Sequence, residues 1–113
     1  MAAVYVSNLV INTGSTFTQT FNLEATNTNS PLDLTGYTGS AQMRKWAGSS
    51  SATDFTVTIS APTTAGQIVL GLTAAQTAEL PAGRQVYNVL ITKDSVTETV
   101  VEGMVLVRQG VTR

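Results

Sequence analysis

The 113-residue sequence predicts an all-β fold: an antiparallel β-sandwich of about 7 to 8 short strands with one short helical turn near residues 73–80. Three observations predict it. Apolar and polar residues alternate with period two along most of the chain, and turn signals recur roughly every 8 to 12 residues. The chain also carries 19 Thr, a residue favoured on pleated, half-buried surfaces. This length supplies one hydrophobic core, so residues 1–113 read as a single sandwich domain, with 1–14 as an N-terminal arm or edge strand.

Val4 to Ile11 is the first extended segment, closed by the turn signal Asn12-Thr13-Gly14-Ser15. From Phe17 to Ala25, Phe17, Gln19, Phe21, Leu23 and Ala25 share one face, and Thr18, Thr20, Asn22 and Glu24 share the other. The two segments are expected to pair as a hairpin. Asn27 to Asp33 clusters Asn, Ser and Pro and reads as loop. Leu32, Leu34 and Tyr37 lead into a strand from Ser40 to Trp46, with Ala41 and Met43 on one face and Gln42 and Arg44 on the other. Ala47 to Ala52 is small and polar, too poor in burial to offset backbone entropy, and is expected to be a mobile loop.

Phe55, Val57 and Ile59 alternate with Thr56 and Thr58, and Ile68, Leu70 and Leu72 repeat the pattern after a turn at residues 61–66. These two segments form a second expected hairpin. Thr73-Ala-Ala-Gln76 fits a capping box, and Pro81 limits the helix it starts to about two turns. Val86 to Thr92 is apolar enough for a sheet centre, Lys93-Asp94-Ser95 is a turn, and Val96 to Glu102 alternates. A last strand is expected from Met104 to about Val111, after a break at Gly103. Tyr87 stands at the offset from Leu80 at which a tyrosine of an Ig-like sandwich bonds back to the preceding corner, which strengthens the sandwich reading; the alternative is a core-edge aromatic with a hydrated hydroxyl.

Composition excludes several function classes. Six Lys and Arg stand against seven Asp and Glu, the net charge is -1, and only 12% of residues are charged, about half the usual share. The cations Arg44, Lys45, Arg84, Lys93, Arg108 and Arg113 are scattered and make no basic stripe for nucleic acid. The absence of His and Cys removes thiol nucleophiles, imidazole bases, disulfides and zinc sites built from nitrogen or sulfur. Glu98 and Glu102 are expected on one strand face roughly 13 Å apart, too far to share a proton or a glycosidic oxygen. Asp33, Asp54 and Asp94 lack the spacing of a calcium loop, and Ser49, Ser50 and Ser51 have no base to activate them.

No catalytic, cofactor-binding or metal-binding residue is therefore assigned, no cofactor is expected, and the chain reads as a non-enzyme. Its first residues lack a signal peptide, and no apolar run reaches the roughly 20 residues needed to span a bilayer. Synthesis in the cytoplasm without secretion, and no membrane contact, are the corresponding expectations.

A surface of Thr, Ser and small apolar groups costs less to desolvate than one of Lys and Glu, which suits burial against another protein. The interface candidates are Val4, Tyr5, Val6, Leu9 and Ile11, on a segment that could extend a neighbour's sheet, and Trp46 beside the flexible loop. Residues 1–11 are expected to serve assembly and to be dispensable for folding.

Four runs carry a family cadence: Gly66-Gln-Ile-Val-Leu-Gly-Leu-Thr73, Thr77-Ala-Glu-Leu-Pro-Ala-Gly83, Val86-Tyr-Asn-Val-Leu-Ile91 and Val100-Val-Glu-Gly-Met-Val-Leu-Val107. Phe17-x-x-x-Phe21-x-Leu23, Pro31-Leu-Asp-Leu-Thr-Gly-Tyr37 and Ala41-Gln-Met-Arg44 accompany them. Over roughly residues 17–108 the chain resembles small structural proteins of tailed bacteriophages, cyanophages included. It is also similar to the N-terminal, virion-attached domain of phage baseplate upper proteins. The resemblance implies an Ig-like β-sandwich, a non-catalytic virion protein that attaches to tail or baseplate subunits and packs as a homo-oligomer or in symmetric copies. Capsid decoration is the alternative and a carbohydrate- or receptor-binding module a further one. In the baseplate proteins the module continues into a helical stalk and a receptor-binding part that this sequence lacks, so host-receptor binding is not carried over.

Overall fold

The computed structural model describes residues 5–24 and 30–111, so Val4 lies outside the described residues. Among these described residues the alternating segments become nine strands in two sheets. In the larger sheet, β1 (Tyr5–Val6) and β2 (Leu9–Asn12) both run parallel to β9 (Val96–Arg108). Next come β8 (Gly83–Lys93), β4 (Thr38–Arg44) and, at the far edge, β5 (Thr53–Asp54), each antiparallel to its neighbour. In the smaller sheet β7 (Gln67–Leu72) lies between β3 (Phe17–Asn22) and β6 (Thr56–Ile59), antiparallel to both. Placing β3, β6 and β7 against β4, β8 and β9 is the partition of an Ig-like sandwich, as the pattern predicted.

Alternation decides the core. Inward residues such as Met43, Leu70, Val89, Ile91 and Val105 are fully buried between the sheets. The single α-helix among the described residues, α1 (Ala74–Ala78), starts as its sequence dictates. Thr73 Oγ1 accepts from the Gln76 N–H at 3.1 Å, and Gln76 Oε1 accepts from the Thr73 N–H at 2.8 Å. The β6–β7 hairpin also forms as expected. Asp94 and Ser95, both at positive φ, make the two-residue turn from β8 to β9, matching the right-handed twist of the strands it joins.

Five expectations are corrected. The N-terminal segment does not pair with β3. It breaks at Ser7 and Asn8, and both halves join β9 in the opposite sheet, where Leu9 pairs with Val105 and Ile11 with Val107. The turn after it carries the chain from one sheet to the other. Leu9 and Ile11 are core residues at 4% and 0% exposure, so deleting residues 1–11 removes core side chains and the domain is not expected to fold without them.

The chain also does not break at Gly103, since β9 runs through it. Its irregularity is a bulge at Val100, between the pairs Val89–Val101 and Leu90–Thr99, which turns both Val100 and Val101 into the core. The bulge flips the alternation, so Glu98 pairs with inward Ile91 while Glu102 pairs with outward Asn88. Those two carboxylates lie on opposite faces, not one. Finally, Tyr87 does not bond the corner at Leu80; its hydroxyl donates to the Ser7 carbonyl at 2.5 Å.

Candidate functional site

The outer face of the larger sheet is built by the register of β2, β9, β8 and β4. One row across it reads Val10, Leu106, Arg84. The next reads Met104, Val86, Arg44, and the third Val6, Glu102, Asn88, Gln42. Val6 is 75% exposed, Val10 51%, Met104 45% and Leu106 43%. Scattered apolar side chains on a surface are ordinary; adjacent ones on neighbouring strands form a patch of the kind that contacts other molecules.

Beside the patch lies a groove of about 430 Å³ whose lining includes Val6, Val86, Asn88, Glu102 and Arg44. Its polar wall is fixed in place. Arg44 donates to Gln42 Oε1 at 3.0 Å and to the Ser49 carbonyl, while Gln42 Nε2 donates to Asp54 Oδ1 at 2.6 Å. The run of bonds from Asp54 through Gln42 to Arg44 holds a cation and an amide at one end of the groove, with the Glu102 carboxylate across from them.

The edge of this face is locked to the core at the Ser7–Asn8 break. The Ser7 N–H donates to the Glu102 carbonyl at 2.9 Å, and Asn8 Oδ1 accepts from the Met104 N–H at 3.1 Å. The Asn8 side chain thus supplies the acceptor that the interrupted strand withholds. A side chain at Gly103 would run into the Ser7 carbonyl, so only glycine lets the edge come this close. The Tyr87 ring stacks edge-on against Phe55 with centroids 6.2 Å apart, which aims its hydroxyl at the Ser7 carbonyl. Burial pushes the Tyr87 hydroxyl above its ordinary pKa, a shift partly offset by the Ser7 bond.

A second latch sits at the other end of β2. Fully buried Thr77 accepts from the Gly14 N–H at 3.0 Å and reaches the Ser15 carbonyl at 2.8 Å, tying the inter-sheet turn to α1. The Gly110 N–H donates to Thr13 Oγ1 at 2.7 Å, closing the same end against the tail of β9.

The interface candidates separate in this frame. Val6 is outward and on the patch. Leu9 and Ile11 point into the core and are not available to a partner. Tyr5 is half-buried against the core, with its hydroxyl donating to Glu24 at 3.4 Å. Trp46 is 58% exposed just past β4, on the rim of a separate hollow with Lys45, Pro81 and Gln85. Val10, Val86, Met104 and Leu106 were not singled out from the sequence. The available signal was Met104-Val-Leu-Val107, four apolar residues in a row, which marks a strand apolar on both faces.

Asp33 is engaged locally, and Asp54, in β5, accepts from Gln42. Asp33 accepts from the Thr35 hydroxyl at 2.6 Å and its N–H at 2.9 Å, and these bonds hold its carboxyl below the usual aspartate range. Among the described residues no group of three or more acidic side chains could hold a metal ion.

No family model matches the chain, and no curated protein does either. Among solved structures, Listeria monocytogenes InlP is similar with a TM-score of 0.50 and 15% identity; the match covers 90% of this chain but only 26% of InlP. An immune-type receptor ectodomain from Ictalurus punctatus is similar at a TM-score of 0.40 and 9% identity, covering 100% of this chain and 90% of the receptor fragment. The chain thus spans about a quarter of InlP, and at this identity the likeness is one of fold alone.

Proposed function

We propose that the chain is a non-catalytic structural component of a tailed-phage particle, held in the tail or baseplate by protein contacts through the outer face of the larger sheet. The observation that carries the contact role is the contiguous exposure of Val6, Val10, Met104 and Leu106 on a surface otherwise made of hydroxyls, amides and few charges. The particle assignment rests on the cadence of residues 66–107 and its resemblance to virion-attached modules. A partner that covers this face gains apolar burial without stripping many ions of water.

A carbohydrate- or receptor-binding platform is less well supported, because it needs aligned exposed aromatics. Tyr87 is buried, Tyr5 is half-buried and Tyr37 lies under Lys93 at 5.5 Å, which leaves Trp46 alone at one end.

The test is incorporation. Particles assembled with the wild-type chain should contain it, in tail fractions if the baseplate reading holds and in heads if it decorates the capsid. Leu106→Glu should fold and stay out. Absence of the wild type from particles overturns the particle assignment, and equal incorporation of the variant overturns the assigned face.

A further inference from the structure

We infer that the protein covering the outer face of the larger sheet is a second copy of this chain, related by a two-fold axis that lies between the two stacked sheets and runs along the Val86–Met104 row. The inference rests on the reading of that face as a contact surface and adds its occupant. Its starting point is the pair of opposite charges at the two ends of the patch. Arg84 sits beside Leu106 and Glu102 beside Asn88, so the two charges flank the Met104–Val86 row from opposite sides. Four residues along β8 separate their levels, roughly 13 Å, too far for them to meet within one chain. Neither side chain has a hydrogen-bond or ion-pair partner among the described residues, and both are exposed.

That axis passes over the midpoint of these charges and places Arg84 over the second copy's Glu102. By symmetry it also places Glu102 over the second copy's Arg84. The row at the axis, Met104 and Val86, then meets its own image, and Leu106 is carried toward the second copy's Val6. The result is an apolar centre of Met104, Val86 and Leu106 with charges around it; Arg44, at the β4 end of the axis row, is turned away to the Ser49 carbonyl and Gln42 Oε1. Stacked sheets lie about 10 Å apart, a gap that a long Arg and a Glu side chain span together. The opposite signs make the face complementary to itself, which a one-sign patch would not be. Four apolar side chains make a small interface, so the pairing is weak in dilute solution, with a dissociation constant on the order of 100 μM. Tethering of many copies on one particle raises their effective concentration above that value.

Sedimentation velocity of the full chain tests the pairing through charge exchange. The wild type should approach twice the mass of one chain at about 1 mM, ten times that dissociation constant. Arg84→Glu and Glu102→Arg should each remain monomeric while keeping the wild-type circular dichroism and melting temperature, because both positions are exposed and unpartnered. Mixed in equal amounts, the two variants should recover the dimer. The carboxylate introduced at position 84 of one chain then faces the guanidinium introduced at position 102 of the other, and the remaining native Glu102 and Arg84 face each other at the opposite rim. A monomeric wild type, single variants that dimerise as the wild type does, or a mixture that stays monomeric each overturns the pairing. If the wild type is monomeric yet enters particles while Leu106→Glu does not, the pairing falls and the attachment reading stands.

Discussion

The Tyr87 hydroxyl donates to the Ser7 carbonyl across 80 positions of sequence, and this one bond joins the centre of the larger sheet to its N-terminal edge. Tyr87 stands on β8, Ser7 in the gap between β1 and β2, and β9 runs between them. The bond reaches past β9 at Gly103, where the absence of a side chain opens the way. The N-terminal segment is therefore part of the sandwich and not an appendage.

Tyr87→Phe keeps the ring against Phe55 but leaves the Ser7 carbonyl without its donor. Equilibrium denaturation should show a loss of about 1–3 kcal/mol. Hydrogen exchange should quicken first at residues 7–12 and leave β7 protected.

The same group predicts a pH dependence. Burial raises the Tyr87 pKa in the folded state, so at high pH the unfolded chain gives up this proton first. The contribution is fully present below the ordinary tyrosine value of about 10 and is lost as pH rises through the folded value. Wild-type stability should fall more steeply than that of Tyr87→Phe above about pH 10; parallel curves for the two proteins would contradict the assignment.

Two glycines, one in each sheet, should respond in opposite senses. Gly103→Ala drives a methyl into the Ser7 carbonyl and should cost about 1–3 kcal/mol or more. At Gly71, in the middle of β7, an added Cβ meets nothing closer than the Phe17 carbonyl at 3.7 Å, and the backbone is ordinary extended chain. Gly71→Ala should be neutral or stabilising by up to about 1 kcal/mol, through lost freedom of the unfolded chain. Thermal melts of the two variants check both signs.

Removal of residues 1–11 should unfold the domain. It takes Leu9 and Ile11 out of the core, and each large-to-small loss at such sites costs about 2–5 kcal/mol, comparable to the whole stability of a small domain. Far-ultraviolet circular dichroism of the truncated chain gives the answer directly.

Local rules reached most of these elements from sequence. Period-two alternation located β3, β4, β6 and β7, an apolar run located β8, and the Thr73–Gln76 capping box placed the start of α1. What escaped depends on contacts distant in sequence. The parallel partner of β2 lies 96 positions away, as Leu9 with Val105, and nothing near Leu9 encodes it. The bulge at Val100 swaps the faces of β9 midway, so the strand's own alternation misassigned Glu98 relative to Glu102. The patch followed the same logic: Val10 and Leu106 become neighbours only once β2 lies on β9. Thr77 read as one more helical hydroxyl until the inter-sheet turn came to rest on it. Trp46 was legible as exposed because it follows an outward Arg44 and precedes a small, polar loop.

In the assembled particle the outer face of the larger sheet should be covered, with the opposite face of the sandwich, which carries exposed Thr18, as the reference surface. Because the chain contains no cysteine, a single one can be introduced on either face and read by maleimide labelling. Val10→Cys stands on the claimed face and Thr18→Cys on the outer face of the smaller sheet. Both should label readily in the free protein; in purified particles position 10 should be protected and position 18 should remain reactive. Equal labelling at both positions in the particle, or protection of position 18 alone, would contradict the claim.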